Sequence, residues 1–271
     1  MYFRLTDILN RKLVESVVLG VVQGITEFLP ISSDGHLVVV EKLMHSGTRE
    51  EPLALIMALH VGTLLSILVV YRHDLFRLVK DALAGDIKLA ALIVLATIPV
   101  GVVGVLFKKF FEQTFQSPLI AGIGFLVTAG FLFMAQRLET NARTLDQIGT
   151  GTALVIGLFQ ALAPFPGVSR SGCTIAAGLL CGMRREAATT FSFLIAIPAI
   201  AGASVFILKD LLTESGPAHN IPAMLLGGVT AFVVGLIALR WLIRIVNARK
   251  LHYFAWYLVA AGLLTILWQI A

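Results

Sequence analysis

The sequence predicts an all-α integral membrane protein made of two copies of one unit. Three observations predict it: a composition too apolar for water, six uncharged stretches of spanning length, and a repeat that superposes two broken segments. Of 271 residues, 58% are hydrophobic and 14% charged, whereas about a quarter of a soluble domain is charged. With 21 Lys and Arg and 16 Asp and Glu, the chain cannot wrap such a core in polar surface, which excludes soluble globular and disordered classes. Two cysteines, Cys173 and Cys181, are no disulfide framework. The net charge of +5 does not indicate nucleic acid, because the basic residues lie between apolar runs, where membrane topology explains them.

In chain order the first element is broken. Residues 13–44 are apolar except at Pro30-Ile31-Ser32-Ser33-Asp34-Gly35-His36, where proline and small polar residues stop a helix and restart it. The piece after the break would be about 15 Å long, half a bilayer, which predicts a re-entrant hairpin. Stretches 53–71, 89–107 and 118–136 follow, each near the ~20 residues that cross the hydrocarbon layer. Then 148–182 repeats the broken pattern around Pro164, Pro166 and Gly167, and 188–208, 221–239 and 251–271 repeat the spans. Pro99 and Pro198 predict kinks rather than ends, since bundle neighbours satisfy the freed carbonyls. With no small-residue cleavage site after a short apolar run, the first apolar segment is read as retained.

A shift of 137 residues places Val18 on Val155, Gly20 on Gly157, Gln23 on Gln160, Phe28 on Phe165, Ser32 on Ser169 and Gly35 on Gly172. The two breaks coincide, which divides one membrane domain into units 1–137 and 138–271, each a hairpin plus three spans. An odd number of crossings inverts the second unit, so the hairpins enter from opposite faces and meet at their tips. Basic residues in loops 72–88, 137–147, 183–187 and 240–250 outnumber those on the other side (Arg4, Arg11, Lys12, Lys42, Arg49, Lys108, Lys109, Lys209). That bias predicts both termini outside.

Glu27, Asp34 and Arg170 are the charged residues at the depth of the breaks. Each costs about 2.5–3.5 kcal/mol at a bilayer centre, so three imply pairing or a ligand. One reading is a buried Glu27–Arg170 ion pair that only ties the two units together. The other is a site. Ser32-Ser33-Asp34 and Ser169-Arg170-Ser171-Gly172 each open a half-helix, and two converging helix N-termini favour an anion. Arg170 adds a planar fork suited to phosphate, with hydroxyls of Ser33, Ser169 and Ser171 as further donors. Capping is the expected role of Ser32 and Ser171. Gln23 and Glu27, one helical turn apart, present an amide oxygen and a carboxylate that suit a divalent cation. His36 lies within a turn of Ser33 and suits a nucleophile, a general acid or a phosphate donor.

Other candidates rank lower. His60 inside a span is expected to bond a neighbouring carbonyl, and His45, His73, His219 and His252 fall in loops or near interfaces. Cys173 and Cys181 read as small packing residues. Trp241, His252, Tyr253, Trp256, Tyr257 and Trp268 read as interface belts.

The runs Gln23-Gly24-Ile25-Thr26-Glu27-Phe28-Leu29-Pro30-Ile31-Ser32-Ser33-Asp34-Gly35-His36 and Pro166-Gly167-Val168-Ser169-Arg170-Ser171-Gly172 resemble the two signatures of the bacitracin-resistance (BacA/UppP) family of undecaprenyl-diphosphate phosphatases. The resemblance extends over nearly the whole chain, including Phe191-Ser192-Phe193-Leu194. It implies removal of the terminal phosphate of the C55 diphosphate by a metal-dependent multi-pass enzyme of the bacterial plasma membrane, using Mg2+ or Ca2+, with its site open to the outer face. It also implies bacitracin resistance acting through that substrate, and leaves a homodimer open. By the same resemblance Gln23 and Glu27 match the family's acidic-or-amide motif, Ser33 and His36 its catalytic candidates, and Arg170 its phosphate-binding arginine. Asp34 departs from the pattern, where threonine or serine is usual, and is expected to restore negative charge near the metal. Likeness to type 2 phosphatidic acid phosphatases is local, since the histidine they place after Ser-Arg is Ala176 here. The nucleophile stays open between Ser33, His36 and water, and inverted repeats also suit a flippase or anion transporter.

Overall fold

Proline and serine decide where the first helix stops. In the computed structural model, which describes residues 2–44, 53–114, 117–136, 143–213 and 220–270, α1 (Tyr2–Thr26) ends just before Glu27 and α2 (Ser33–Met44) begins at Ser33. Between them Pro30 offers no N–H to a helical ladder. Ser32 adopts a left-handed conformation with φ 71°. Its Oγ accepts the Gly35 N–H at 3.3 Å, which caps the new helix. Expectations for His45, Arg49, Arg137, His219 and the last residue of the final span lie outside the described residues.

The second break is built alike. The helix α8 (Thr150–Gln160) stops ahead of Pro164 and Pro166, and α9 (Arg170–Leu180) restarts with Ser169 as N-cap. Gly167 turns the chain at φ 84°, where a side chain would be strained and would also strike the Ala121 carbonyl.

The other helices are α3 (Leu53–Val70), α4 (Arg72–Leu83), α5 (Lys88–Leu106), α6 (Lys108–Thr114), α7 (Pro118–Gln136), α10 (Arg185–Thr213), α11 (Ile221–Asn247) and α12 (His252–Ile270). Five of them, α5, α7, α10, α11 and α12, are long and apolar enough to cross a membrane. The pair α3 and α4, bent by 72°, makes a sixth if counted as one span. Pro99 and Pro198 lie inside continuous helices, as expected.

Several boundaries differ from expectation, among them segment 108–117, expected as a loop, where Lys108–Thr114 form the helix α6. Segment 72–88, expected as a loop, is mostly the helix α4, whose alternation of Arg72, Arg77 and Lys80 with Leu75 and Val79 makes it amphipathic. The spans at 188–208 and 221–239 extend to Thr213 and Asn247, because Lys209 and Arg240 end an apolar run without ending a helix.

Exposed Val94, Ile98, Leu225, Ile237 and Leu264 cover outward faces, while Gln23, Ser66, Thr128, Gln160 and Ser192 are buried. That polarity suits a chain whose solvent is lipid. The helix α7 packs against both α2 and α9, α11 against α1 and α3, α5 against α8 and α10, and α12 against α7. The fully buried rings of Phe28, Phe125, Phe191 and Phe193 fill the centre beside the two breaks.

Candidate active site

Glu27 is the first residue past α1, at the point where a helix leaves carbonyls and side chains unconstrained. Its Oε1 accepts from Arg170 Nη2 at 2.8 Å. Its Oε2 accepts from Ser33 Oγ at 2.7 Å and from Gln23 Nε2 at 3.2 Å. The pair is deeply sequestered, with side-chain exposures of 12% for Arg170 and 7% for Glu27. One carboxylate thus joins the end of α1, the start of α2 and the start of α9. Removing one member of such a buried pair typically costs about 3–5 kcal/mol.

Arg170 is oriented by α10. Its guanidinium carbon lies 5.4 Å from the Phe193 ring centroid, a cation–π distance. Its Nη1 donates to the Ser192 carbonyl at 3.4 Å. Thr174, one turn along α9, donates to the Arg170 carbonyl at 2.8 Å and shares a 2.6 Å hydrogen bond with Ser192 Oγ. Phe193 in turn stands 5.8 Å from both Phe28 and Tyr71.

A single threonine braces the second break. Thr128 Oγ1, on α7, donates at 3.1 Å to the Gly167 carbonyl and accepts the Ser169 N–H at 2.9 Å. Ser169 Oγ accepts the Gly172 N–H at 3.1 Å, so that N–H is engaged in capping. The two breaks touch directly: a Cβ on Gly35 would lie 2.8 Å from Gly167 Cα and 2.6 Å from Phe125 Cε1. Ser171 Oγ reaches the Leu29 carbonyl of the first break at 3.4 Å.

On the other flank, His36 Nδ1 lies 2.7 Å from the Ser32 carbonyl and Nε2 lies 2.6 Å from the Tyr257 hydroxyl. Asp34 Oδ1 lies 3.6 Å from His60 Nε2, and His60 Nδ1 lies 2.9 Å from the Ile56 carbonyl.

Among the described residues no group of three or more His, Cys, Asp or Glu forms a metal cage. An oxygen site completed by phosphate needs fewer protein ligands. Gln23 Oε1 is buried without a hydrogen-bond partner, on the amide whose Nε2 donates to Glu27. With that amide turned over, its oxygen and the carboxylate together are the hard oxygen ligands a divalent cation takes.

A family model described as bacitracin resistance protein BacA matches residues 16–264. The chain belongs to that family. A relative in Rhodopirellula baltica and one in Alkaliphilus metalliredigens, both named undecaprenyl-diphosphatase, are 43% identical to it over 258 and 273 residues. Those alignments take in 95% and 94% of this chain and 98% of each relative. A third of the same name, in Korarchaeum cryptofilum, is 38% identical over 267 residues, 93% of this chain and 97% of the relative.

Of the residues singled out in the sequence, Gln23, Glu27, Ser33 and Arg170 form one connected cluster in this family member. Ser32 caps α2 as expected. Ser169, expected chiefly as a donor to phosphate, is the cap of α9. Ser171, expected as a cap, instead bridges Ser169 Oγ and Leu29, because Ser169 already occupies the N-cap position. Gly172 packs on Thr128 Cγ2. Asp34 faces His60, a residue ranked low in the sequence, which keeps its expected carbonyl bond as well. Tyr257, read as an interface-belt residue, bonds His36. Thr128 carried no signal, since single hydroxyl residues in apolar spans usually bond their own helix, and Ser192 entered only as part of the Phe191–Leu194 stretch of the resemblance.

Proposed function

We propose that the chain removes the terminal phosphate of undecaprenyl diphosphate, releasing inorganic phosphate and leaving the C55 monophosphate that carries cell-wall precursors. The observation that carries this reading is the Glu27–Arg170 pair at the meeting of two helix breaks, in a chain aligned over 95% of its length with an undecaprenyl-diphosphatase. The lipid tail stays in the bilayer and the headgroup reaches the breaks. Arg170 binds and neutralises phosphate oxygens, with Ser32, Ser169, Ser171 and Gly172 shaping the same turns.

Ser33, whose hydroxyl donates to Glu27 at 2.7 Å, sits beside a base, the arrangement that activates a hydroxyl or a water in its place. His36 is the second group able to exchange a proton there. Mg2+ or Ca2+ would be held by Gln23 Oε1 and Glu27, with Asp34 adding negative charge, and when bound would neutralise the phosphoryl group in transfer.

Our reading of the architecture is an inverted repeat of 1–137 and 138–271, two re-entrant hairpins each followed by three spans. It is supported by matched packing, α1 on α11 as α8 on α5, and α3 on α11 as α10 on α5. The membrane is the bacterial plasma membrane, with the site open to the outer face and both termini outside; a homodimer is compatible with this reading. Bacitracin resistance would act through the shared substrate. Phosphate release from C55 diphosphate by the detergent-purified chain tests the assignment. A folded protein that binds the lipid and releases no phosphate would instead favour a transporter.

A further inference from the structure

The helix α4 turns away from the span it follows. With 18 residues, α3 is about 27 Å long and by itself nearly crosses the ~30 Å hydrocarbon layer. Tyr71 separates the two helices, and α4 leaves at 72° to α3, so beyond a span near the bilayer normal it runs close to the membrane plane. Its twelve residues include Arg72, His73, Asp74, Arg77, Lys80 and Asp81, too many charged groups for the hydrocarbon layer. It therefore lies at the level of the headgroups.

The two faces of α4 are the reverse of those of a helix on a water-soluble protein. Asp74, Arg77 and Asp81 line a cleft shared with Asp86, Lys88 and Asp146, where Lys88 Nζ donates to the Asp146 carbonyl at 2.7 Å. No residue of α4 is buried. Phe76, Val79 and Leu83, spaced by three and four residues along the opposite face, are 72%, 57% and 85% exposed. With the polar face turned to the protein's own cleft, this apolar stripe faces away from the bundle, where a membrane protein meets lipid. The charges divide in the same way. Arg72 precedes Val79 by two turns and Lys80 follows Phe76 by one, so both basic side chains border the apolar stripe, whereas the carboxylates of Asp74 and Asp81 lie on the cleft side. Arg72 gives one donor to the Val69 carbonyl at 2.9 Å and keeps the rest of its fork.

We propose that α4 is an interfacial lipid-binding helix: Phe76, Val79 and Leu83 enter the boundary between headgroups and acyl chains, and Arg72 and Lys80 bind the phosphates of anionic phospholipids. A helix of this kind sits about 5–10 Å into that boundary. Basic side chains at its edge lay their stems on the apolar layer and their charges among the phosphates. Because α3 ends at Tyr71, whose ring stacks on Phe193 with centroids 5.8 Å apart, α4 sets the depth of that end of the bundle. The inference does not depend on the phosphatase reading.

The test adds one tryptophan at a time to the full-length chain, Phe76→Trp or Leu83→Trp on the apolar face and Asp81→Trp on the cleft face, and subtracts the emission of the three native tryptophans. The proteins are reconstituted in vesicles of phosphatidylcholine and phosphatidylglycerol, one or the other brominated high on its acyl chains, with acrylamide as the aqueous quencher. Brominated lipid is expected to quench the added emission of Phe76→Trp and Leu83→Trp, and acrylamide to quench it at least about threefold less than that of Asp81→Trp. At equal mole fraction, brominated phosphatidylglycerol should quench Phe76→Trp about twofold more than brominated phosphatidylcholine, an excess that Lys80→Gln in the same chain reduces. If acrylamide quenches Phe76→Trp and Leu83→Trp as strongly as Asp81→Trp, the stripe is in water and the proposal fails. Shielding from acrylamide and lipid alike marks cover by protein, such as a second copy of the chain, and overturns it as well. Equal quenching by the two brominated lipids overturns the anionic partner. Should Asp81→Trp not fold, lipid against acrylamide quenching within Phe76→Trp decides the same question.

Discussion

Glu27 and Arg170 stand 143 residues apart in the chain and meet at 2.8 Å between carboxylate and guanidinium. Each belongs to a different broken hairpin, Glu27 just past the end of α1 and Arg170 at the start of α9. The pair accounts for how two charges persist in an apolar core: each is the other's counter-ion, with Ser33 and Gln23 donating to Glu27 and with Phe193 and the Ser192 carbonyl beside Arg170. An arginine held this way keeps donors on its planar fork for a second anion, so the ion pair and a phosphate site are compatible in one place.

The contact between the breaks has no room to spare. Gly35→Ala would set a methyl 2.8 Å from Gly167 Cα, where backbone cannot yield as a flexible side chain would. A destabilisation of about 1–3 kcal/mol is expected, read as a lower melting temperature in detergent together with reduced phosphate release.

Thr128→Val keeps the shape of the α7 brace and removes its hydroxyl. Two bonds that hold the second break, to the Gly167 carbonyl and from the Ser169 N–H, are then lost in a buried place. Stability should drop by about 1–3 kcal/mol. A thermal unfolding series of Thr128→Val against wild type checks it, with Thr128→Ser, which keeps the hydroxyl, expected to keep most of the wild-type stability.

Replacing Phe193 by Leu leaves a hydrophobic group under Arg170 and deletes the ring face. A cation–π contact of this kind contributes about 1–2 kcal/mol when desolvated. Phosphate release at low substrate should therefore fall about 5–30-fold, and kcat/KM for Phe193→Leu is the measurement.

Metal removal should abolish turnover, with Mg2+ or Ca2+ restoring it. Asp34→Thr is expected to raise the cation concentration needed for half-maximal activity by about tenfold, as a site with one carboxylate fewer binds more weakly. A titration of activity against free cation decides this, and an unchanged midpoint would remove Asp34 from the account.

The breaks and the spans were legible because their causes are local. Proline, serine and glycine runs stop and restart a helix wherever they occur, and uncharged runs of spanning length stand out against any background. Glu27 and Arg170 were legible because ionisable residues at membrane depth are costly, and Ser33 because a serine run opens a half-helix. Tyr257, Thr128 and Ser192 were not, since their importance arises from which helices become neighbours. A tyrosine near the start of the last span has the sequence appearance of an interface anchor whether or not a histidine lies beside it. The bend at Tyr71 was half legible: Arg72-His73-Asp74 marks the end of an apolar run, but the 72° turn depends on what α4 rests against.

The most direct measurement compares phosphate release from C55 diphosphate by purified wild type, Glu27→Gln and Arg170→Lys, all matched for folded protein by thermal unfolding. The account predicts turnover by wild type and a loss of at least about 100-fold in each variant, since charge at Glu27 and the planar fork at Arg170 both act on the transferring phosphate. Wild-type turnover in either folded variant would contradict it, leaving the ion pair as a tie between the two halves and placing the chemistry elsewhere.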